Sequence, residues 1–129
     1  MRNALSAQSI LEMDNKEFSK ELEERTRKFA VRIIRLSTAL PNTPEGIIVR
    51  NQITKSGTSI GANYREANRA RSRADFRNKA KICESEASET QYWIEVIVET
   101  KWLSWKEVKT EYNECSELLA IFTSIGKGI

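Results

Sequence analysis

Polar side chains recur along this chain at a spacing that would place them on one face of a helix. Residues three or four positions apart share a helical face. Two of these side chains, Glu66 and Glu89, are carboxylates that neighbouring helices could bring together for acid–base catalysis or for binding a divalent metal. The polar face comprises Gln52, Ser56, Ser59, Asn63 and Glu66, and a later segment adds Ser85 and Glu89.

The composition argues against both of these reactive roles. The sequence contains no histidine, which is the commonest metal ligand and the usual general base in enzymes. The Glu-x-x-His step of di-metal helical bundles therefore cannot occur here. We interpret the polar face instead as a structural network that hydrogen-bonds the second and third helices to each other or joins subunits. We expect no enzymatic activity, no cofactor and no metal site.

Basic side chains form the second candidate site. Residues 15–81 carry 16 basic and 7 acidic side chains, whereas residues 82–129 carry 4 and 9. Arg73, Arg77 and Lys81 are four residues apart and would share one helical face. An arginine guanidinium binds two phosphate oxygens at once, so such a cluster is typical of nucleic-acid binding. The candidate nucleic-acid-binding residues are Arg65, Arg69, Arg71, Arg73, Arg77 and Lys81.

Ion pairing is the other interpretation of this basic cluster. The acidic second half of the same chain, or that of a neighbouring subunit, offers carboxylates that could pair with it. The sequence does not predict a platform of aromatic side chains on which single strands would stack. The candidate carboxylate partners are Glu84, Glu86, Glu95 and Glu99.

Four amphipathic helices must position these residues. Apolar side chains repeat at steps of three and four along most of the chain, which is the pattern of helices with one buried face. The breaks in this pattern are short, so consecutive helices should be antiparallel neighbours. The sequence therefore predicts an all-α, up-down four-helix bundle. We divide the chain into a loose or partly helical leader (1–14), the four-helix bundle (15–125) and a C-terminal tail (126–129).

Local signals mark the helix boundaries and one close contact. Thr43 is placed to cap the second helix, with Pro44 at its first position. Ser72 is placed to cap the third helix. Gly57 and Gly61 lie inside the second helix, where each costs about 1 kcal/mol relative to alanine. Their presence predicts a neighbouring helix that approaches closely.

The order and spacing of the polar residues also resemble a known family. Over about residues 18–125 the chain resembles the four-helix-bundle proteins encoded in intervening sequences of bacterial 23S ribosomal RNA genes. The resemblance implies an up-down bundle that assembles into a homopentameric ring and has no enzymatic activity. Accessory variability proteins of diversity-generating retroelements are related in fold, and this relation implies RNA and a reverse transcriptase as partners. The residues that carry the resemblance are Gln52, Ser59, Ile60, Asn63, Glu66, Ser85 and Glu89.

Other features of the sequence indicate where the protein works. No apolar run reaches the roughly 18 to 20 residues of a membrane span, and the first 15 residues lack the apolar core of a signal peptide. Cys83 and Cys115 are isolated, so we expect them to be small core residues in a reducing compartment. We therefore expect a cytoplasmic protein that has no contact with a membrane.

The function that these patterns favour is non-enzymatic. We expect an oligomeric scaffold or adaptor that contacts RNA or a ribonucleoprotein through its arginine-rich surface. The alternative is a purely protein-binding adaptor, whose basic residues dock on an acidic protein and which has no nucleic-acid role. The salt dependence of RNA binding separates these two functions, because phosphate contacts release counterions.

Overall fold

Helices occupy most of residues 15–128, which are the residues that the computed structural model describes. The predicted leader and the last residue of the predicted tail lie outside this range. No strand occurs in the described part of the chain, so the prediction of an all-α fold with four helices is confirmed. In chain order the helices are α1 (Asn15–Ser37), α2 (Pro44–Ala67), α3 (Arg73–Glu99) and α4 (Trp105–Gly126).

Consecutive helices pack side by side. α2 lies against both α1 and α3, α3 lies against α4, and a smaller contact between α1 and α4 closes the bundle. Because the connections are short, each helix reverses direction relative to the one before it. One end of the bundle therefore contains the start of α1, the α2–α3 connection and the end of α4.

Two of the predicted helix caps are present. The Thr43 side chain accepts a hydrogen bond from the Gly46 backbone N–H at 3.1 Å, and Pro44 is the first residue of α2. The Ser72 hydroxyl accepts one from the Asp75 N–H at 3.0 Å at the start of α3. Each hydroxyl satisfies a backbone donor that has no partner inside its helix, so both predictions are confirmed.

α1 and α2 are each followed directly by a tight turn. After α1, the Leu40 N–H donates to the Ser37 carbonyl at 3.2 Å, and after α2 the Ala70 N–H donates to the Ala67 carbonyl at 3.0 Å. These bonds span three residues rather than four, so both segments finish as tight turns. The guanidinium of Arg50 on α2 donates to the Leu40 carbonyl at 2.8 Å and fixes the first turn.

The core is built from the apolar face of each helix. Leu22, Phe29 and Ile33 of α1 are completely buried, as their spacing predicts. Ile53 and Ile60, seven residues apart on α2, are buried as well. One face of α3, whose residues are alternately three and four positions apart, is also inside the bundle, and its buried members are Ala80, Cys83, Ala87, Thr90, Ile94 and Ile97.

The two glycines of α2 face α1 at short range. A β-carbon added at Gly57 would lie 2.6 Å from Cγ2 of Ile33, closer than any real contact between such atoms. A β-carbon added at Gly61 would lie 3.0 Å from Oγ1 of Thr26. The absence of a side chain at both positions lets the two helices pack closely, which confirms the predicted close approach.

Candidate functional site

The turn from α2 to α3 gathers the predicted basic residues at one end of the bundle. They lie in the last turn of α2, in the connection that follows and in the first three turns of α3. Arg77 is half-buried, and the other members of the group are exposed. We call this region the basic end and define it by Arg65, Arg69, Arg71, Arg73, Arg77 and Lys81.

The charges of the basic end are almost entirely unpaired within residues 15–128. Arg65 is the one member with a carboxylate nearby, at 3.7 Å between its Nε and Oε1 of Glu23, and its side chain is 57% exposed. Such an exposed and long ion pair contributes little to stability. The other five members make no ion pair with any described residue. The basic end therefore carries positive charge that the described residues leave largely unpaired.

The carboxylates that could have paired with the basic end have other partners or none. Glu84 accepts a hydrogen bond from Oγ1 of Thr123 at 2.7 Å, and Glu95 accepts one from the Tyr112 hydroxyl at 2.7 Å. Both of these glutamates thus face α4. Ion pairing of the basic end with the acidic half of the same chain is therefore not found among the described residues. Pairing with a neighbouring subunit stays a prediction.

Other arginines do pair with the acidic half, across the contact between α1 and α4. Arg25 is buried, and its guanidinium binds both carboxylate oxygens of Glu114 at 2.7 and 2.8 Å and also contacts Glu117. Arg32 lies 2.9 Å from Oε2 of Glu111. Burial lowers the pKa of Arg25, but the hydrogen bonds and charges of Glu114 and Glu117 outweigh it and raise the pKa overall.

None of these α1–α4 residues is among the predicted site residues. A signal for them does exist in the sequence, because Arg25 and Arg32 are seven residues apart and Glu111 and Glu114 are three apart. Each pair therefore lies on one helical face. The sequence does not say that these two faces meet, since that depends on how the bundle closes.

Within residues 15–128, the polar face of α2 contributes one hydrogen bond between helices. Ser56 is buried, and its hydroxyl lies 2.9 Å from that of Thr90 on α3, which is not among the predicted residues. Ser59 donates to the Lys55 carbonyl at 2.6 Å, and the Asn63 amide donates to the Ser59 carbonyl at 2.8 Å. These two side chains are thus satisfied by their own helix, four residues back.

The rest of the predicted polar face does not join α2 to α3. Glu66 and Ser85 are exposed, and Glu89 accepts a hydrogen bond at 3.2 Å from the indole N–H of Trp93 on its own helix. These three residues therefore form no hydrogen bond between the second and third helices in the described chain, because Glu66 and Ser85 are exposed and Glu89 bonds its own helix. A role between subunits stays a prediction. Residues 15–128 hold no group of three or more acidic or cysteine side chains that could bind a metal.

Comparison with known proteins identifies the family. A family model described as 23S rRNA-intervening sequence protein matches residues 19–124. This chain belongs to that family. A solved structure from Bacteroides thetaiotaomicron, of a protein of unknown function from the S23 ribosomal protein family, is 41% identical, with a TM-score of 0.76. The match covers 81% of this chain and 97% of the other. No curated protein gives a significant match.

The cysteines of this intervening-sequence protein are not reactive groups. Cys83 and Cys115 are buried, and their thiols donate to the carbonyls of Ile60 at 3.3 Å and Ala87 at 3.2 Å. Burial is the main cause that raises the pKa of each thiol to about 12. Because the thiolate is the nucleophilic form, both cysteines act as core residues, as predicted.

Apolar side chains on the outside of the intervening-sequence protein mark a second surface. Val31 and Ile34 on α1, and Ile47 and Ile48 on α2, are 41–60% exposed. They lie where α1 ends and α2 begins, so they belong to the end of the bundle opposite to the basic end. None of the four helices combines the length and the apolar character that crossing a lipid bilayer requires.

Proposed function

We propose that this protein is a non-enzymatic, homo-oligomeric bundle that binds RNA or a ribonucleoprotein through its basic end. The observation that carries the proposal is the absence of ion pairs for five of the six basic-end residues among residues 15–128. The family description refers to 23S rRNA, which supports RNA as the partner.

The physical chemistry of the basic end suits a phosphate backbone. Arg73 and Lys81 are exposed, so their binding to phosphate replaces counterions without first breaking an internal contact. Arg71 and Arg73 flank the start of α3, where positive charge opposes the helix dipole by a few tenths of a kcal/mol each, so their own helix does not stabilise them. An anionic partner offsets this cost.

Assembly would multiply these contacts. The resemblance to pentameric bundles implies a ring of five subunits, and the exposed Val31, Ile34, Ile47 and Ile48 offer an apolar surface for contact between copies. In a ring, five basic ends act together on one RNA, which raises the apparent affinity without any new contact. Light scattering coupled to size exclusion tests this part of the proposal. A mass near five times 14.8 kDa is expected, and a clean monomer overturns it.

Binding of fluorescently labelled RNA at several salt concentrations tests the RNA function. The logarithm of the affinity should fall linearly with the logarithm of the salt concentration. The double variant Arg69→Glu/Arg73→Glu should lose at least about tenfold in affinity and show a shallower salt slope. The matched control is Lys106→Glu/Lys109→Glu, which makes the same charge change at exposed positions in the first turns of α4.

The outcomes separate RNA binding from a protein adaptor. Equal affinity for the two double variants would show that the basic end is not the RNA surface. No binding at low salt, together with a polypeptide that stays bound to the tagged protein through a high-salt wash, would favour a protein partner such as a reverse transcriptase. Enzymatic activity that survives the charge reversals would overturn the non-enzymatic part of the proposal.

A further inference from the structure

A pocket of about 470 Å³ opens at the basic end, where all four helices contribute residues. This volume is within the range of pockets that bind small ligands. Its lining includes apolar and aromatic side chains and two arginines. The residues important to its chemistry are Phe18 and Ser19 of α1, Tyr64 of α2, and Arg73, Phe76 and Arg77 of α3.

The two arginines give the pocket a positive edge. Neither Arg73 nor Arg77 forms an ion pair with a described residue. The Arg77 guanidinium packs on Gly128, where an added β-carbon would lie 2.6 Å from its Nη2 atom. Gly128 has a φ of +77°, a conformation that favours glycine. The backbone after α4 therefore lies directly against this guanidinium. Arg77 is thereby held beside the pocket with its charge unpaired.

Tyr64 contributes a hydroxyl that has no hydrogen-bond partner among the described residues. Its hydroxyl is buried and makes no hydrogen bond of normal geometry. Burial is the main cause that raises the pKa of Tyr64, and the nearby Ser19 and Asn68 side chains oppose it. The Asn68 amide already donates to Glu23 at 2.8 Å. The Tyr64 hydroxyl is therefore neutral and has no hydrogen-bond partner among the described residues, and buried polar groups without one are rare in proteins.

The aromatic residues of the pocket come from separate helices. Phe18 lies at the start of α1 and Phe76 at the start of α3, and both pack partly against the core. Aromatic rings beside arginines are the usual means by which proteins hold unpaired bases, because every base has a face that can stack. The tertiary structure thus places two aromatic side chains in the lining of a pocket next to the basic end.

We infer that this pocket holds one unpaired nucleotide of a single-stranded RNA. Arg73 and Arg77 bind its phosphate, Phe18 and Phe76 pack against its base, and the Tyr64 hydroxyl hydrogen-bonds its base or sugar. A paired base is stacked within a helix and cannot enter, so the pocket selects single strands. The inference rests on the proposed RNA function and adds the form of RNA that the basic end prefers.

The test compares a labelled RNA octamer as a single strand and in a duplex of the same sequence. The wild-type protein should bind the single strand more tightly. Phe76→Leu keeps an apolar side chain but removes the ring, and it should weaken binding of the single strand roughly tenfold while leaving duplex binding unchanged. The matched control is Trp105→Leu, because Trp105 is also aromatic, is 47% exposed and lies at the opposite end of the bundle.

A second measurement needs no variant. Calorimetric titration of the wild-type protein with adenosine monophosphate and with inorganic phosphate should show tighter binding of the nucleotide. Equal binding of the two would reduce the pocket to an anion site and overturn the inference. Salt-dependent RNA binding with equal affinity for single strand and duplex, unaffected by Phe76→Leu, would overturn the inference and leave the proposed function standing. No RNA binding in any form would overturn both.

Discussion

Along the contact between α1 and α4 the arginines meet carboxylates, whereas at the basic end they do not. Arg25 and Arg32 bind glutamates of α4 at distances of 2.7 and 2.9 Å. Arg73 and Arg77 make no ion pair with any described residue. The same type of side chain therefore joins two helices in one region and forms no ion pair with a described residue in the other.

The difference lies in what surrounds each charge. The side chains of Arg25 and Glu114 are only 5% and 14% exposed, so each needs the other to offset its removal from water. Arg73 is exposed, and water solvates it whether or not a partner is present. Loss of a buried arginine should therefore lower the free energy of unfolding. Loss of an arginine at the basic end should instead lower the affinity for RNA.

The largest expected effect comes from Arg25→Ala. It leaves the carboxylate of Glu114 buried without its partner, so the free energy of unfolding should fall by about 3 kcal/mol or more. Arg73→Ala, the matched change at the basic end, should alter it by less than about 0.5 kcal/mol. Urea denaturation followed by circular dichroism measures both. Similar losses for the two variants would remove the distinction between the regions.

Substitutions of two glycines in α2 test how closely α2 packs against α1, without any change of charge. Gly57→Ala puts a methyl group 2.6 Å from Cγ2 of Ile33. Overpacking of this kind outweighs the gain in helix propensity, so a net loss of about 1 to 2 kcal/mol is expected in denaturation. Gly61→Ala meets Thr26 at 3.0 Å and should cost less. A larger loss at Gly61 would mean that α1 is not closest to α2 at Gly57.

The cap at the start of α4 should make the stability of the protein depend on pH. Ser104 and Glu107 form a capping box at α4, and the backbone and hydroxyl hydrogen bonds of Ser104 lower the pKa of Glu107 below its usual value of 4.5. A lowered pKa in the folded state gives stability that is present above pH 4.5 and is lost as the pH falls through the folded value. The melting temperature of Glu107→Gln should therefore be lower than that of the wild type at pH 7.

The same comparison at acidic pH supplies the check. Protonation removes the charge of Glu107, so the difference in melting temperature between the wild type and Glu107→Gln should shrink as the pH falls below 4.5. At the start of α3 the corresponding residue is Asp75, whose N–H donates to the Ser72 hydroxyl at 3.0 Å. A difference between the two proteins that does not change between pH 7 and pH 3 would show that the charge of Glu107 does not support the cap.

The smallest expected effect is that of Tyr64→Phe. The change removes a hydroxyl without a hydrogen bond and keeps the ring, whose centre is 5.4 Å from that of Phe122. The free energy of unfolding should stay within about 1 kcal/mol of the wild type or rise slightly. Denaturation in urea measures this. A loss well above that range would indicate that Ser19 or Asn68 does bond the hydroxyl, which would leave it no role in the pocket.

Local signals made the helices predictable. The caps at Thr43 and Ser72 depend on residues three positions away, and the buried face of α3 follows from steps of three and four. The close contact at Gly57 was also predictable, because glycine destabilises a helix and a close neighbouring helix is the simplest reason for its presence. The polar face shows the limit of this reasoning, since Ser59 and Asn63 bond their own helix instead of α3.

The amino-acid sequence by itself determined the four helices, their buried faces and the concentration of arginines around the α2–α3 turn, because these depend on residues within a few positions of one another. Only the tertiary structure decided which charges are paired. Arg25 meets Glu114 because α1 and α4 close the bundle, 89 residues apart in the chain. The same closure brings Phe18, Tyr64 and Phe76 beside Arg77, since a pocket between helices is set by their packing and not by any local pattern.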